Sequence, residues 1–350
     1  MRLNNSFFAF FIYLLITGCN AQNPSASKNS ESELSPCNNC SVVFYNVENL
    51  FDIYDDPEIN DEEFLPESEK EWTADRYEKK ILDLSKVLAA VNDALPVIIG
   101  LSEVENKAVI TDLIASADLK NGNYKIIHED SKDARGIDVA MIYRPEYFEV
   151  RSYRSIHVDL ITEPAKTTRD ILHITGNFKD GSEVHFFINH WPSRYGGQEE
   201  SEPNRMEAAR VLRAEVEKIK ENNKNAKVLI MGDLNDYPDN RSISEVLGAG
   251  KPGSKNTLLY NLMMDIDTAK SEGSYNYRGD WGFLDQIIVN KNFIKGKGIK
   301  VDPNSAQAFR EDWMIFQDPK YKDFKPNRTY GGPNYYGGYS DHLPVYVELK

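Results

Sequence analysis

The sequence predicts a mixed α/β fold, and three observations support this prediction. Short apolar runs typical of buried strands alternate with longer stretches in which apolar residues recur at helical spacing. Some neighbouring strands are joined by a tight turn and others by a helix, which indicates mixed sheets and not one parallel sheet. No Pro/Gly-rich linker divides the chain after residue 40, so a single large domain over residues 41–350 is the simplest organisation.

Two long helices are predicted between the strands. The first follows an N-cap at Thr73 and continues to about Leu95, where Pro96 ends it. The second runs from about Asn204 to Asn222. In both, apolar residues recur every three or four positions, which predicts that one face of each helix packs against a sheet.

The predicted strands are short runs rich in Val, Ile, Leu and Phe. They cover residues 41–45, 97–101, 139–143, 171–178, 184–188, 228–231, 283–289 and 343–349. Lys179-Asp180-Gly181 joins two of them and is a plausible hairpin turn. The stretch from Pro303 to Gly338 is rich in Tyr, Pro, Gly and Asn, which predicts a long loop beside a functional site.

The N-terminus reads as an export signal. Residues 7–16 (FFAFFIYLLI) form an apolar run that is too short for a membrane-spanning helix, which needs about 20 residues. Residues 1–18 are therefore a predicted signal peptide. Cys19 follows Leu-Ile-Thr-Gly, as in a bacterial lipobox, which predicts a lipid on its thiol; the alternative is an ordinary signal peptide with a chance cysteine.

The segment after the signal peptide, residues 19–40, is predicted to be the lipidated cysteine and a flexible polar tether. We therefore expect a protein exported from a bacterial cell and lipid-anchored to a membrane, on its periplasmic or cell-surface face. In an oxidising compartment Cys37 and Cys40 favour a local disulfide over a reduced pair. The chain has no second ligand pair with which they could complete a zinc site.

The charge of the chain bears on its partners. It carries 41 Lys and Arg against 55 Asp and Glu, a net charge of −14, so its overall field repels polyanions. This argues mildly against a protein that coats DNA without regard to sequence. It does not exclude a nuclease, because a local basic patch and a bound metal can dominate at the site.

Polar side chains stand at the ends of several predicted strands, where α/β folds commonly place their chemistry. Each alone is usually a turn or cap residue, but together their oxygen and imidazole groups indicate a site. The positions are Ser102-Glu103, Asn189-His190, Gly232-Asp233-Leu234-Asn235, Leu284-Asp285-Gln286 and Ser340-Asp341-His342.

This set and its order resemble the endonuclease/exonuclease/phosphatase superfamily, whose fold is that of deoxyribonuclease I. The resemblance extends from Val42 to Leu349, and Gly-Asp-Leu-Asn at 232–235 and Ser-Asp-His at 340–342 are its most specific pieces. Further matches are Tyr45 to Asp52, Leu101 to Asn106 and Thr168-Arg169-Asp170. The resemblance implies a four-layer sandwich: two mixed β-sheets packed together, with helices outside.

Roles on the metal side can be assigned by chemistry. Phosphoester hydrolysis needs a water made nucleophilic and a neutralised phosphate charge. Glu103 is a hard carboxylate suited to Mg²⁺ or Mn²⁺, with Ca²⁺ as an alternative, and Asp341 is a second expected metal ligand. Asn46 offers an amide oxygen beside Glu103, or a contact to the phosphate.

Proton transfer is assigned to His342, because a neutral imidazole can accept a proton near pH 7. Asp285 is expected to orient that imidazole through a hydrogen bond. Asp233 would position the attacking water, and Asn235 would donate to a phosphate oxygen.

The remaining assignments are on the phosphate side. His190 would stabilise the pentavalent state or protonate the leaving oxygen, and Asp170 would orient His190. Arg169, Arg194 and Arg135 are the nearest candidates for phosphate clamps, with a solvated surface charge as an equal alternative.

Several residues stay open between a functional and a structural role. Asp138 is either a further site acid or a turn acid, and Tyr143 is either a site tyrosine or, more plainly, a buried strand residue. The aromatic residues could stack on bases or sugars, although loop packing is slightly favoured. They are Tyr275, Tyr277, Trp281, Tyr335, Tyr336 and Tyr339.

The sequence leaves three functions. The leading one is a metal-dependent nuclease acting on DNA or RNA, and the alternative is a phosphodiesterase or phosphatase for a small or lipid phosphate. The third, disfavoured by the complete set of acids and both histidines, is a non-catalytic surface binding protein. We expect a monomer whose partners are its substrate and, through Cys19, a membrane.

Overall fold

A computed structural model describes residues 37, 39–255, 257–266, 272–319 and 322–350. The predicted signal peptide, Cys19 and nearly all of the predicted tether lie outside these residues. Within them, no helix has the length and apolar character needed to cross a membrane. Cys37 and Cys40 form the predicted disulfide.

Four α-helices are described, together with two main sheets and three small strand pairs. The helices are α1 (Ala74–Ala90), α2 (Lys107–Ala115), α3 (Gln198–Asn222) and α4 (Lys291–Lys295). The strands as far as residue 190 are β1 (Cys40–Leu50), β2 (Ile98–Val104), β3 (Lys125–His128), β4 (Asp138–Tyr143), β5 (Phe148–Ile156), β6 (Ile171–Phe178) and β7 (Glu183–His190).

The later strands are shorter on average. They are β8 (Lys227–Asp233), β9 (Ala249–Gly250), β10 (Leu259–Asn261), β11 (Tyr275–Tyr277), β12 (Asp280–Gly282), β13 (Asp285–Asn290), β14 (Gln307–Ala308), β15 (Ile315–Gln317), β16 (Phe324–Pro326), β17 (Tyr330–Gly331), β18 (Asn334–Tyr335) and β19 (Val345–Leu349).

The two main sheets are both mixed, which confirms the predicted fold class. The first has the order β14-β19-β1-β2-β4-β3, and the second β5-β6-β7-β8-β13-β10-β9. β1 and β2 are parallel, as are β7 and β8, whereas β13 runs antiparallel to β8. The second sheet also contains the predicted hairpin, because β6 and β7 are antiparallel and Gly181 takes a positive φ of 79° between them.

Three apolar clusters define the four layers. One lies between the sheets and includes Phe44 and Phe186. A second packs α1 and α2 on the outer face of the first sheet, and a third packs α3 on the outer face of the second sheet. The layers are therefore helices, sheet, sheet and helix, which confirms the four-layer sandwich.

The structure corrects the ends of some elements. Thr73 is the N-cap of α1, but the helix ends at Ala90 because Asn92 begins a turn, with its Oδ1 accepting from the N–H of Ala94 at 2.8 Å. α3 begins at Gln198, six positions before the predicted start, and includes Pro203. The 303–338 stretch is not an unstructured loop, because β14 to β18 lie within it.

Candidate functional site

The polar residues at the strand ends lie together, beside the carboxyl ends of the parallel strands of both sheets. The parallel pair β1 and β2 carries Asn46 and Glu103 at its carboxyl ends, and the parallel pair β7 and β8 carries His190 opposite Asp233. Asp285 begins β13 directly opposite Asp233. Parallel strands end at one sheet edge, so the topology itself collects these side chains.

Asn46 links the acids of the two sheets. Its Nδ2 donates to Glu103 Oε1 at 3.3 Å and to Asp233 Oδ2 at 3.0 Å, while its Oδ1 accepts from the N–H of Glu48 at 3.0 Å. The amide therefore presents its nitrogen to the acids, and its oxygen is used within the chain. Both roles predicted for Asn46, as a metal ligand and as a contact to the phosphate, stay predictions.

Glu103 is held by irregular backbone at the ends of β1 and β2. Its own φ is 64°, and Asn49, with φ 54°, donates its N–H to Glu103 Oε2 at 2.9 Å. Residues other than glycine rarely adopt this left-handed backbone conformation, and strained backbone of this kind is concentrated at functional sites. Glu103 Oε1 is left facing the centre of the site, 3.8 Å from Nε2 of His190.

Asp233 is a fully buried acid with an unusual pKa. Burial raises its pKa to about 6, with help from the charges of Asp285 and Glu103 and against the attraction of His342. Asp233 Oδ1 accepts from the N–H of Asn235 at 2.9 Å, so the tight turn after β8 fixes its orientation. Its Oδ2 faces the site.

His342 and Asp285 form the predicted pair. Nδ1 of His342 lies 2.6 Å from Asp285 Oδ2, and Nε2 of His342 points to Asp233 Oδ2 at 3.8 Å. Burial disfavours the imidazolium, but the charges of Asp285 and Asp233 outweigh it and raise the pKa of His342 well above its ordinary value. The ring of Tyr275 packs against the imidazole with ring centres 4.8 Å apart.

The pKa of His190 is shifted in the opposite direction from that of His342. Burial lowers the pKa of His190 well below its ordinary value, and the nearby charges of Arg169 and Arg135 add to this effect. Its Nε2 lies 3.8 Å from both Glu103 Oε1 and Asp233 Oδ2. A neutral imidazole can donate a hydrogen bond but carries no proton to spare, so the first of its two predicted roles fits better.

Asp170 does not orient His190. Its Oδ1 lies 2.9 Å from Nδ1 of His157, a half-exposed residue. Nδ1 of His190 is buried and has no hydrogen-bond partner among the described residues. The predicted Asp170–His190 pair is therefore wrong, because β6 begins beside the end of β5 and Asp170 meets His157 there.

Two of the three predicted clamps serve the scaffold. Arg169 is buried, with Nη1 3.2 Å from Asp133 Oδ2 and Nη2 donating to the carbonyl of Trp191 at 2.7 Å. Arg194 binds the turn after Asp233, with Nε donating to the carbonyl of Asn235 at 2.7 Å. Arg135 is half exposed, and its Nε lies 3.5 Å from Asp133 Oδ1.

The turn that carries Asn235 continues into a buried ion pair. Asp236 Oδ2 lies 2.9 Å from Nε of the fully buried Arg205, although the N–H direction does not meet hydrogen-bond geometry. Ser242 Oγ donates to the same carboxylate at 2.6 Å. Asn235 Nδ2 donates to the carbonyl of Trp191 at 3.0 Å, which leaves its second hydrogen for a ligand.

Asp341 stands at the rim and reveals residues that the sequence did not. Its Oδ2 accepts from Nη2 of Arg328 at 3.0 Å, and Nε of Arg328 lies 3.4 Å from Glu48 Oε1. Glu48 is buried and also accepts from the N–H of Thr329 at 2.7 Å. Arg328 lies in the stretch from Pro303 to Gly338, whose composition predicted a loop beside a functional site, but nothing in the local sequence distinguished it from other loop arginines.

The residues left open between a functional and a structural role make the following contacts. Asp138 accepts from the N–H of Ser131 at 2.8 Å, as a turn acid does. Tyr143 packs edge-on against Phe148 in the core between the sheets. Tyr339 packs on Trp313, and Tyr335 on Tyr330, whereas Tyr277 and Tyr336 are more than half exposed.

Family comparison follows from this geometry. Residues 41–350 match the sequence model of the Endonuclease/Exonuclease/phosphatase family. The chain belongs to that family. No curated protein matches the chain in sequence. The chain also resembles solved structures of the family in fold, at low sequence identity.

Three solved family structures illustrate that range. A mannosyl-6-phosphatase of Bacteroides thetaiotaomicron has a TM-score of 0.56 at 17% identity, covering 89% of this chain and 99% of that one. The human Nocturnin catalytic domain has a TM-score of 0.53 at 17% identity, with 89% and 94% covered. TDP2 of D. rerio, complexed with a single-strand DNA product, has a TM-score of 0.51 at 14% identity, with 89% and 98% covered. At these identities the comparison establishes the fold alone, which phosphatases and nucleases of the family share.

The donor set fits a divalent cation. Glu103, Asp233 and Asp341 bring three carboxylates to the site, and burial with the charges of Asp285 and Glu103 raises the pKa of Asp233 even against the attraction of His342. One ligand atom each from Asp233, Asp285 and His342 lie within 4.8 Å of one another. Because Asp285 and His342 bind each other, Glu103 and Asp341 remain the better candidates for the ion.

Proposed function

We propose that this family member is a divalent-metal-dependent phosphoester hydrolase, and that its substrate is a small or terminal phosphoester. The observation that carries the proposal is the buried Asp285–His342 pair, which faces Asp233 and stands beside Glu103 and His190. A buried imidazole bound by one carboxylate and aimed at a second is a geometry suited to moving a proton.

His342 accepts the proton of the attacking water in this proposal. Asp285 fixes the ring through Nδ1, so that Nε2 is the atom that receives the proton. The two flanking carboxylates raise the pKa of His342, so the imidazole becomes a base only where positive charge offsets them. Asp233 holds the water between the turn of Asn235 and Nε2 of His342.

Neutral donors surround the space for the phosphate. Asn46 Nδ2, the second Nδ2 hydrogen of Asn235 and a neutral His190 Nε2–H can each donate to a phosphoryl oxygen. Glu103 and Asp341 would hold the divalent ion, which we take to be Mg²⁺ or Mn²⁺ and which supplies Lewis-acid neutralisation of the phosphate charge. Arg135 is a half-exposed cation whose charge acts on His190.

The charges favour a small phosphoester over a long nucleic acid. A nucleic-acid backbone is usually held by several lysines and arginines, and here Arg169 and Arg194 are occupied within the scaffold. A cavity of about 550 Å³ is lined by Arg194, Tyr237, Tyr277 and Asp280 among others. It offers room for a leaving group.

A nuclease remains the second candidate, because exposed aromatic side chains stand near the site. Tyr195 is 92% exposed and follows Arg194, and Tyr277 is 53% exposed at the cavity. Such side chains can stack on unpaired bases. TDP2, a solved relative of the same fold, is described with a single-strand DNA product, which supports keeping this candidate.

One assay separates the candidates. The purified protein is incubated with plasmid DNA, RNA and a panel of small phosphoesters, with Mg²⁺ or Mn²⁺ and then with EDTA. We expect turnover of small phosphoesters that EDTA abolishes. Cleavage of DNA or RNA with the small esters untouched would favour the nuclease, and activity that survives EDTA would remove the metal from the mechanism. His342→Ala should lower the rate by roughly 10²- to 10⁴-fold, the usual contribution of a general base.

Export and anchoring form a separate proposal. We propose a lipid on Cys19 and a monomer at the membrane surface, on the strength of the apolar run that ends at that cysteine. Metabolic labelling with a radioactive fatty acid should depend on Cys19, and an unlabelled wild-type protein would end the proposal. Light scattering of the chain without residues 1–19 should give a monomer mass.

A further inference from the structure

Arg328 occupies an unusual place at the rim of the site. Nη2 binds Asp341 at 3.0 Å and Nε lies 3.4 Å from Glu48, while Nη1 has no hydrogen-bond partner among the described residues. Its side chain is 44% exposed, so the free edge of the guanidinium is open to solvent. Its charge also acts on Tyr275, whose ring packs on His342.

The backbone around Arg328 is fixed by a buried network. Glu48 accepts from the N–H of Thr329 at 2.7 Å and of Tyr330 at 3.2 Å. Nζ of the buried Lys80 donates to Thr329 Oγ1 at 2.6 Å and to the carbonyl of Tyr339 at 2.6 Å. An arginine on an ordinary surface loop needs no such support. The network fixes the backbone beside Arg328, and Asp341 and Glu48 position its guanidinium, which lowers the entropy that a ligand contact would cost.

We propose that Arg328 is a phosphate-binding residue that gives the site a preference for terminal phosphates. This inference rests on the proposed function and deepens it. A phosphomonoester carries about two negative charges and three free oxygens, whereas an internal phosphodiester carries one charge and two free oxygens. The neutral donors Asn46, Asn235 and His190 can serve either ester. Arg328 adds a cation with a planar fork, which suits the extra charge and the third oxygen.

The acids beside Arg328 make its position informative. Glu48 already serves two backbone N–H groups, so its 3.4 Å contact with Nε is the weaker tie. Asp341 is a proposed metal ligand, and an Asp341 carboxylate that binds a metal cation attracts the guanidinium of Arg328 less strongly. The guanidinium therefore has both a free edge and partners that can release it to a phosphate.

The test uses two esters with the same leaving group, p-nitrophenyl phosphate and bis-p-nitrophenyl phosphate. Arg328→Ala should lower kcat/KM for the monoester by about 10- to 100-fold, the range for a hydrogen bond between charged groups, and for the diester by less than about threefold. Arg328→Lys should recover part of the loss, because it restores charge without the fork. Arg241→Ala is the matched control, since Arg241 is an exposed arginine paired with Glu202 and Glu245.

A second readout does not depend on turnover. Inorganic phosphate should raise the unfolding temperature of the wild-type protein, and Arg328→Ala or Arg328→Lys should reduce that rise while Arg241→Ala retains it. Equal losses on both esters, or equal protection by phosphate in all variants, would overturn the assignment and leave Arg328 a structural residue. If the wild-type protein cleaves neither ester, the proposed function fails, and phosphate protection alone then decides the role of Arg328.

Discussion

Replacing Asp285 by Asn tests the proton-transfer assignment most directly. The exchange keeps the size of the side chain but removes the charge that lies 2.6 Å from Nδ1 of His342. A hydrogen bond to a charged group contributes about 1.5–3 kcal/mol, and one pKa unit corresponds to about 1.36 kcal/mol. The pKa of His342 should therefore fall by roughly one to two in Asp285→Asn, with Asp233 continuing to attract the imidazolium.

The sign of this change separates base from acid. The charge of Asp285 raises the pKa of His342, so its removal favours the neutral imidazole at lower pH. If the neutral ring is the base, the acid limb of the pH profile of kcat/KM moves to lower pH by roughly one to two units. The maximal rate should still fall by roughly 10²- to 10⁴-fold, because the ring loses its orientation and the imidazolium its stabilising partner.

The assay is the pH dependence of kcat/KM for the best small phosphoester, from about pH 5 to pH 10, at saturating metal. Asp302→Asn is the control, because Asp302 forms an exposed pair with Lys350 by the chain end. Its profile should match that of the wild-type protein. An acid limb that stays in place in Asp285→Asn, or a basic limb that moves instead, would refute His342 as the base.

Three further outcomes follow from the contacts. Asp170→Asn should keep activity within about threefold of wild type, because Asp170 binds His157 and not His190. Arg205→Met should cost about 3–5 kcal/mol of unfolding free energy, measured in urea, because Asp236 stays buried without that cation. Burial beside a second histidine lowers the pKa of His173 to about 3. As the pH falls below about 6.5, His173 therefore takes up a proton in the unfolded chain before it does so in the folded protein. This part of the stability is complete above that pH and declines on acidification by up to about 1.4 kcal/mol per pH unit, a slope that His173→Asn should reduce.

Each of these outcomes has a matched check. Arg241→Met removes an exposed ion pair and should change unfolding by at most about 1 kcal/mol, so an equal loss in Arg205→Met would contradict the burial argument. A tenfold loss in Asp170→Asn would return that acid to the site. An unchanged pH slope in His173→Asn would mean that other groups cause the acid sensitivity.

That the residues at the centre of the candidate site lie together could be predicted from the sequence, because they stand at strand ends. Glu103, His190 and Asp233 each stand at the carboxyl end of a strand, and Asp285 begins one. A strand end can be read from a buried apolar run and the polar residue after it, since both are local features. The order of such residues then carried the family resemblance, which the match over residues 41–350 confirms.

Partner choice was less predictable, because it depends on contacts between distant strands. Asp170 was predicted to orient His190, but the pairing of β5 with β6 places it against His157. Arg169 was weighed as either a clamp or a surface charge, and its burial against Asp133 and the carbonyl of Trp191 excludes the surface charge. Both outcomes depend on strand register, which apolar patterning alone does not provide.

The residues missed by sequence share one cause, the irregular end of β1. The register of β1 against β2 shifts between Asn46 and Leu50, and Glu48 and Asn49 both take a positive φ. This irregular backbone turns Asn49 N–H toward Glu103 and places the Glu48 carboxylate under the backbone of Thr329. A regular strand would point alternate side chains to opposite faces and could not serve both partners.

The same irregularity links the metal side of the site to its rim. Asn46 binds the acids of both sheets, and two residues later Glu48 supports the backbone that carries Arg328. A bulge at a strand end changes the direction of the side chains next to it, and the strained backbone lies at that same place. The positions of Glu103 and Arg328 are therefore set by one segment of β1. Any substitution that regularises this segment should displace both together, however far apart they stand in the sequence.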